Sequence, residues 1–258
     1  MPFTVAHAAA ALPLRRFNLI WSAFVMGSFA PDFPYVIGNI KYRWLGHDFP
    51  GVLLFTLPAS LAALWLFHAA LKKPAVGLFP VGFQQRLRGY LGKFKFGGFA
   101  RFAAIIFSLS LGIATHLVWD AFTHPYTWPW RHSLWLQSTV TLPIVGWTRV
   151  SQLLQYASTA IGLAALILWI ALWYRDSTPV VNIEAEQPKS RVSLALFIFL
   201  AAGVAGLVRA VVLAGLPENL HSWDRFALHL AVTSLAVAFW GLLLYCLLTA
   251  AGVASKTS

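Results

Sequence analysis

Three side chains that could hold a metal ion recur at helical spacing in residues 114–125. His116, Asp120 and His124 are each four residues apart, so on a helix they lie along one face. Because Pro125 disfavours helix before it, His124 is expected on the last turn or just beyond it. Two imidazoles and a carboxylate at this spacing suit Zn²⁺ or a similar divalent ion. The alternative is a polar helix face that packs against another helix.

The composition is that of a membrane protein. Of the 258 residues, 59% are hydrophobic and only 10% are charged, whereas a soluble domain has about 25% charged residues. So few charges cannot cover a water-facing surface, which excludes a soluble globular enzyme. The single cysteine, Cys246, excludes a disulfide scaffold. An ionisable group inside a membrane span is costly and tends to be functional, which favours the metal site.

Apolar runs long enough to cross a bilayer occur five times, at residues 51–71, 102–122, 153–174, 192–216 and 226–253. A sixth run, residues 17–38, contains Pro31, Asp32 and Pro34. It forms either a sixth crossing or a re-entrant segment buried against the other helices. The sequence therefore predicts an all-α, polytopic bundle of five or six transmembrane helices, in a single membrane-embedded domain of residues 1–258.

Basic residues are distributed unevenly between the connecting segments. Residues 72–101 contain seven Lys and Arg and no acidic residue, which predicts that this segment faces the cytoplasm. The segments on the opposite side, residues 39–50, 124–150 and 217–225, contain five basic residues in total. The cluster of histidines and aspartates is then predicted to face the extracytoplasmic side.

Further polar residues map to the same predicted side of the membrane. Asp32, between two prolines in an apolar run, is expected to bind the ion, and His47 lies with Asp48 at the mouth of the next span. Asp48 and Asp224 are candidate general bases. Arg209, within an apolar span, either reaches the interface or holds an anionic group such as a substrate phosphate.

The order of these motifs resembles a bacterial membrane family, the domain of unknown function (DUF) 4184. The resemblance is carried by Pro2-Phe3-Thr4 with His7, Leu12-Pro-Leu-Arg-Arg16, Gly27-Ser-Phe-Ala-Pro-Asp-Phe33, Gly46-His47 and His116-x-x-x-Asp120-x-x-x-His124-Pro125. It covers about the first 175 residues, and residues 176–258 add two C-terminal spans. More distantly, the motif order is similar to YdjM-type inner-membrane metal-dependent hydrolases and, through them, to zinc-dependent phospholipase C.

The resemblance implies that the metal ligands are His7, Asp32, His47, His116 and Asp120. Asp48 stands where the family usually has serine. If His7 and Asp32 bind one ion, residues 4–30 must form a helical hairpin that enters and leaves the membrane on the outer side. That arrangement favours five full spans.

These features lead to one expected function and one alternative. A divalent ion (zinc, or else manganese or iron) with an open coordination position would make the protein a membrane-embedded hydrolase of a lipid or lipid-linked phosphoester at the outer leaflet. The alternative is a membrane structural or assembly protein with a non-catalytic polar or metal site. A transporter is disfavoured, because no inverted repeat is evident and the polar groups gather on one side. The expected partner is membrane lipid and not nucleic acid, and the expected location is the bacterial cytoplasmic membrane.

Overall fold

The protein is predominantly helical throughout the residues that its computed structural model describes, 4–14, 16–36, 44–142, 146–180, 189–217 and 220–255. In chain order the helices are α1 (Thr4–Leu14), α2 (Trp21–Phe29), α3 (Phe33–Val36), α4 (Trp44–His47), α5 (Phe49–Val76), α6 (Val81–Leu87), α7 (Phe99–Thr123), α8 (Trp128–Arg131), α9 (Leu134–Gln137), α10 (Val150–Asp176), α11 (Lys189–Ala214) and α12 (Leu220–Ser255).

Within these helices the backbone departs locally from α geometry. Helix α1 begins as a 3₁₀ segment, Thr4–Ala10, and separate 3₁₀ turns occur at Ala30–Asp32 and Arg88–Tyr90. Helix α5 contains two π-helical segments, Val52–Thr56 and Phe67–Leu71.

Five helices, α5, α7, α10, α11 and α12, are long and apolar enough to cross a membrane. Each contains or overlaps one of the five apolar runs, so the predicted all-α class and the five spans are confirmed. An array of five such helices indicates an integral membrane protein.

The alternative prediction of six spans, with residues 17–38 as the additional one, is wrong: the described part of this region contains no helix long enough to cross a membrane. The helix there, α2, has nine residues and is therefore about 14 Å long, far short of a hydrocarbon core of about 30 Å. Pro31 lies in the 3₁₀ turn that follows α2. Helix α1 packs against α2 and α7, so α1 and α2 are the two arms of the short helical hairpin that the sequence analysis gave as the alternative to a sixth span.

Two glycines, Gly27 of α2 and Gly112 of α7, allow these helices to approach each other closely. A Cβ atom at Gly27 would overlap the carbonyl oxygen of Leu109, and one at Gly112 would overlap that of Phe24. Helices α2 and α7 therefore cross at backbone contact, which is typical of helix pairs in membranes. The Ile20 N–H, just before α2, donates to Ser108 Oγ of α7 at 3.0 Å.

The segment between α7 and α10 contains the two strands found in the described residues. Strand β1 (Thr139–Leu142) pairs antiparallel with β2 (Gly146–Arg149). Gly146 has a φ of 75°, a conformation that favours glycine where the chain turns. This hairpin and the short helices α8 and α9 give the predicted outer loop a defined structure.

The chain divides into two compact units. The first contains Met1–Pro34, Asn39–Ala62 and Phe96–Ile170, and the second contains Tyr35–Gly38, Ala63–Lys95 and Ala171–Ser258. In the second unit, α11 and α12 pack against each other, and α12 also contacts the C-terminal part of α5. The expectation of a single domain stays a prediction.

The charge distribution predicts the orientation of the chain in the membrane. In a variant whose buried Cys246 is replaced by alanine, we expect Arg88→Cys to be labelled by a membrane-impermeant maleimide only after the cells are opened. Ser138→Cys should be labelled in intact cells. Both positions are exposed on the protein, so a difference in labelling between them would come from the membrane, which the maleimide cannot cross. Labelling of Arg88→Cys in intact cells would reverse the predicted orientation.

Candidate metal centre

Four elements of the first unit bring together five of the six residues predicted to bind metal. Helix α7 carries His116 and Asp120, which are one turn apart on one face. Helix α1 carries His7, and the 3₁₀ turn after α2 carries Asp32. His47 is the last residue of α4.

Asp120 lies at the centre of the group. Its Oδ1 atom is 3.6 Å from His7 Nε2. Its Oδ2 atom is 3.3 Å from His47 Nε2 and 3.5 Å from His116 Nε2. One carboxylate therefore faces three imidazoles that come from three helices.

His116 connects Asp120 to the second aspartate. His116 Nε2 is 3.7 Å from Asp32 Oδ1, so the two carboxylates converge on this nitrogen. The other ring nitrogen, Nδ1, is 2.8 Å from the carbonyl oxygen of Ser28. A carbonyl can only accept a hydrogen bond, so Nδ1 carries the proton and, in the neutral ring, Nε2 carries the lone pair. This arrangement is typical of a metal-binding histidine.

Asp32 is held in a comparable way. Thr4 Oγ1 donates a hydrogen bond to Asp32 Oδ2 at 2.6 Å. The second oxygen, Oδ1, faces His116. Thr4 lies one helical turn before His7, so the start of α1 supplies both a candidate ligand and the group that orients another one.

The distances between these atoms fit the edges of a coordination polyhedron. Two overlapping groups, His7 with His116 and Asp120, and Asp32 with His47 and His116, each have ligand atoms within 4.8 Å of one another. With metal–ligand distances of 2.0–2.2 Å, ligand atoms around a tetrahedral ion are about 3.3–3.6 Å apart. The ion pairs within the centre, at 3.3–3.7 Å, are close to that spacing but mostly too long for good hydrogen bonds.

The centre is almost fully shielded from solvent, which affects its titration. The exposed fraction of the side chain ranges from 0% for His116 to 12% for His47. Burial, followed by repulsion from His116, lowers the pKa of His7 to about 3. Burial also raises the pKa of Asp32 above its usual value. Both shifts reflect the cost of placing a charge in an apolar setting.

His124 lies at the edge of the centre. Helix α7 ends at Thr123, and His124 is in extended conformation just before Pro125, as the sequence predicted for a residue beyond the last turn. Its Nδ1 is 3.6 Å from Asp120 Oδ2 and 3.2 Å from the Asp120 carbonyl oxygen. It belongs to neither candidate metal group in the described residues, and its role as a ligand stays a prediction.

Three residues were predicted to take part in catalysis, and the structure describes the side chains of two of them, Asp48 and Arg209. Asp48 is exposed and precedes α5, without a side-chain capping hydrogen bond. Arg209 is exposed on α11 in the second unit. The side chain of Asp224 lies outside the described residues. Their catalytic roles stay predictions.

Several supporting residues were not identified from the sequence. Thr4 orients Asp32, and the carbonyl of Ser28 orients His116. At Gly46 a Cβ would overlap the carbonyl oxygen of Pro31, so this glycine lets His47 approach the turn that carries Asp32. Thr4, Ser28 and Gly46 lie in the same short sequence motifs as the candidate ligands His7, Asp32 and His47. That proximity in sequence was the one feature that could have identified them.

The comparisons with known proteins identify a family. No curated protein and no solved structure matches the chain. A family model described as "Domain of unknown function (DUF4184)" matches residues 1–247. The match extends well beyond the first 175 residues and includes α11 and most of α12. The chain therefore belongs to the DUF4184 family.

Proposed function

We propose that the protein is a membrane-embedded, metal-dependent hydrolase whose centre is formed by His7, Asp32, His47, His116 and Asp120. The proposed cofactor is one divalent ion, zinc in the first place and manganese or iron as alternatives. The proposed substrate is a lipid or lipid-linked phosphoester, and the centre is proposed to face the extracytoplasmic side. The distant similarity to YdjM-type hydrolases and zinc-dependent phospholipase C is part of this proposal.

One observation carries the proposal. The atoms His7 Nε2, Asp32 Oδ1 and His116 Nε2 are buried and have no hydrogen-bond partner. Leaving such atoms unsatisfied costs about 1–3 kcal/mol each. A single cation would satisfy all three, and it would also offset the charges of two buried carboxylates. Because His116 belongs to both candidate groups and offers one lone pair, we propose one ion that both groups share.

The donor set narrows the choice of metal. Three imidazoles and two carboxylates suit zinc, iron and manganese. A catalytic zinc ion usually has three protein ligands and one open position. If all five residues bind, a six-coordinate ion such as manganese keeps one position for water or substrate.

The protein's own residues would provide access for the substrate, accept a proton and bind the phosphate. A divalent ion supplies a polarised phosphoryl oxygen and an activated water. Access is proposed from the side of His47 and His124, the most exposed members of the group. Asp48, exposed and next to His47, is the proposed acceptor of the proton from the attacking water. Exposed Arg131 of α8, in the same unit as the centre, is the proposed contact for the phosphate.

A lipid substrate is supported by the segment that follows His124. Large apolar side chains are exposed there, including Trp128 at 73%, Leu134 at 86% and Trp147 at 64%. Tryptophan prefers the interface between lipid and water. A centre beside such a segment would meet the headgroups of lipids.

The function is tested with purified protein in liposomes, loaded with Zn²⁺ or Mn²⁺. Phospholipids and lipid pyrophosphates are screened for release of headgroup or phosphate. We expect turnover that needs the metal and falls to the metal-free level in both Asp120→Ala and His116→Ala. Asp176→Ala, which removes an exposed carboxylate at the end of α10, serves as the control and should keep full turnover.

The same experiment can contradict the proposal. Tight metal binding with a coordination shell closed by protein ligands, and no turnover of any lipid, would favour the structural or assembly role instead. Turnover that survives in both centre variants would place the activity elsewhere.

A further inference from the structure

The segment between α5 and α7 is strongly basic, and it is folded. Residues 72–95 contain six Lys and Arg and no acidic residue. Two of these basic residues, Lys72 at the end of α5 and Arg86 of α6, take part in the contacts that hold the segment in place. We call residues 72–95 the basic segment.

The first attachment is to the end of α10. Arg86 Nε donates to the carbonyl oxygen of Tyr174 at 2.8 Å, and its guanidinium carbon lies 4.0 Å from the centre of the Tyr174 ring. The Phe83 ring is 4.6 Å from the same tyrosine ring. Helix α6 is thereby fixed against the terminus of a long apolar helix.

The second attachment is to the end of α5. Lys72 Nζ donates to the carbonyl oxygen of Gly92 at 2.8 Å. The Phe94 ring stacks on His68, with ring centres 3.9 Å apart and planes inclined by 13°. The chain after α6 therefore returns to α5 and is held there.

The remaining basic side chains of the segment are exposed. Lys73, Arg88 and Lys93 are exposed, and Tyr90 between them is 66% exposed. The carboxylate of Asp176, at the end of α10, pairs with Arg175 at 2.7 Å. The basic segment thus presents exposed positive charges and an aromatic ring, and it contains no acidic residue that would neutralise them.

We infer that the basic segment binds the headgroups of anionic phospholipids at the membrane surface. It is attached to the ends of two helices, α5 and α10, that are long and apolar enough to cross the membrane. Basic clusters in that position attract anionic lipids, and each Lys or Arg near the surface strengthens the attraction about fivefold. Because the segment is held at two points, its charges need little further ordering on binding.

The experiment compares two double variants of the full-length protein that each lose two positive charges. Arg88→Gln with Lys93→Gln removes charges from the basic segment, and Arg149→Gln with Arg225→Gln removes exposed charges elsewhere. Phosphatidylglycerol and phosphatidylcholine are titrated onto detergent-purified protein, and bound lipid is counted by native mass spectrometry. Glycerol phosphate serves as a competitor that has the headgroup chemistry without the acyl chains.

We expect the wild-type preference for phosphatidylglycerol to fall roughly 25-fold in the first double variant and to change little in the second. High salt should weaken the preference, and glycerol phosphate should compete poorly. Unchanged melting in phosphatidylcholine would show that the variants are folded. Equal losses in the two double variants, or no loss in the first, would overturn the inference. Displacement of the lipid by a short RNA at physiological salt would reassign the segment to nucleic acid.

Discussion

Replacing Asp120 with alanine should remove the proposed metal ion from the purified protein. The Asp120 carboxylate lies within 3.6 Å of four histidines, so this substitution takes away a proposed ligand and the negative charge at the centre of the group. Loss of a residue that only orients a ligand usually costs 10–100-fold in metal affinity. We expect loss of Asp120 itself to cost more than about a hundredfold, measured by competition with a chelator.

Two further variants make this prediction specific. Asp120→Asn keeps the shape of the side chain and loses its charge, so it should lose metal while remaining folded. Asp48→Ala removes an exposed carboxylate next to His47 and should keep its metal content. Metal content equal to wild type in both Asp120 variants would show that the ion, if present, binds elsewhere.

The second large effect is expected at the crossing of α2 and α7. Gly27→Ala places a Cβ atom against the carbonyl oxygen of Leu109, and this backbone cannot move without separating the two helices. Overpacking of this kind costs about 1–3 kcal/mol. The cost corresponds to a fall in melting temperature of roughly 2–12 °C for a chain of this size.

A matched control isolates the close contact. Gly203→Ala on α11 also adds a methyl group to a helical glycine, but nothing lies within 4 Å of the new atom. It should leave the melting temperature unchanged or raise it slightly, since alanine favours helix. Gly112→Ala, on the other side of the same crossing, should resemble Gly27→Ala, and the two together should be less than additive.

Metal affinity should follow stability at this crossing. Ser28 is next to Gly27, and its carbonyl oxygen accepts the hydrogen bond that orients His116. Separation of the helices would lengthen that bond and misplace His116 Nε2. If Gly27→Ala melted like Gly203→Ala and retained its metal, the close crossing would be unimportant for the site.

The local parts of the structure follow from the sequence alone. Whether a run of apolar residues can cross a membrane depends on its length and composition, so the five long helices were predictable. The shared face of His116 and Asp120 is equally local, because residues four apart on a helix are neighbours. The end of α7 before Pro125 follows from the steric effect of proline on the preceding residue.

Only the tertiary structure decided what depends on contacts between distant segments. His7, on a stretch of small helix-forming residues, has no local feature that marks it as a ligand, and it reaches Asp120 only because α1 packs against α7. Among residues 17–36 the structure shows the short helix α2 instead of a span, and α2 packs against α7 through the contact that Gly27 and Gly112 allow between the two backbones. Hydrophobic periodicity indicates which face of a helix is buried but not which other helix covers that face. The spans could therefore be predicted from the sequence, whereas the assembly of the centre from four separate elements could not.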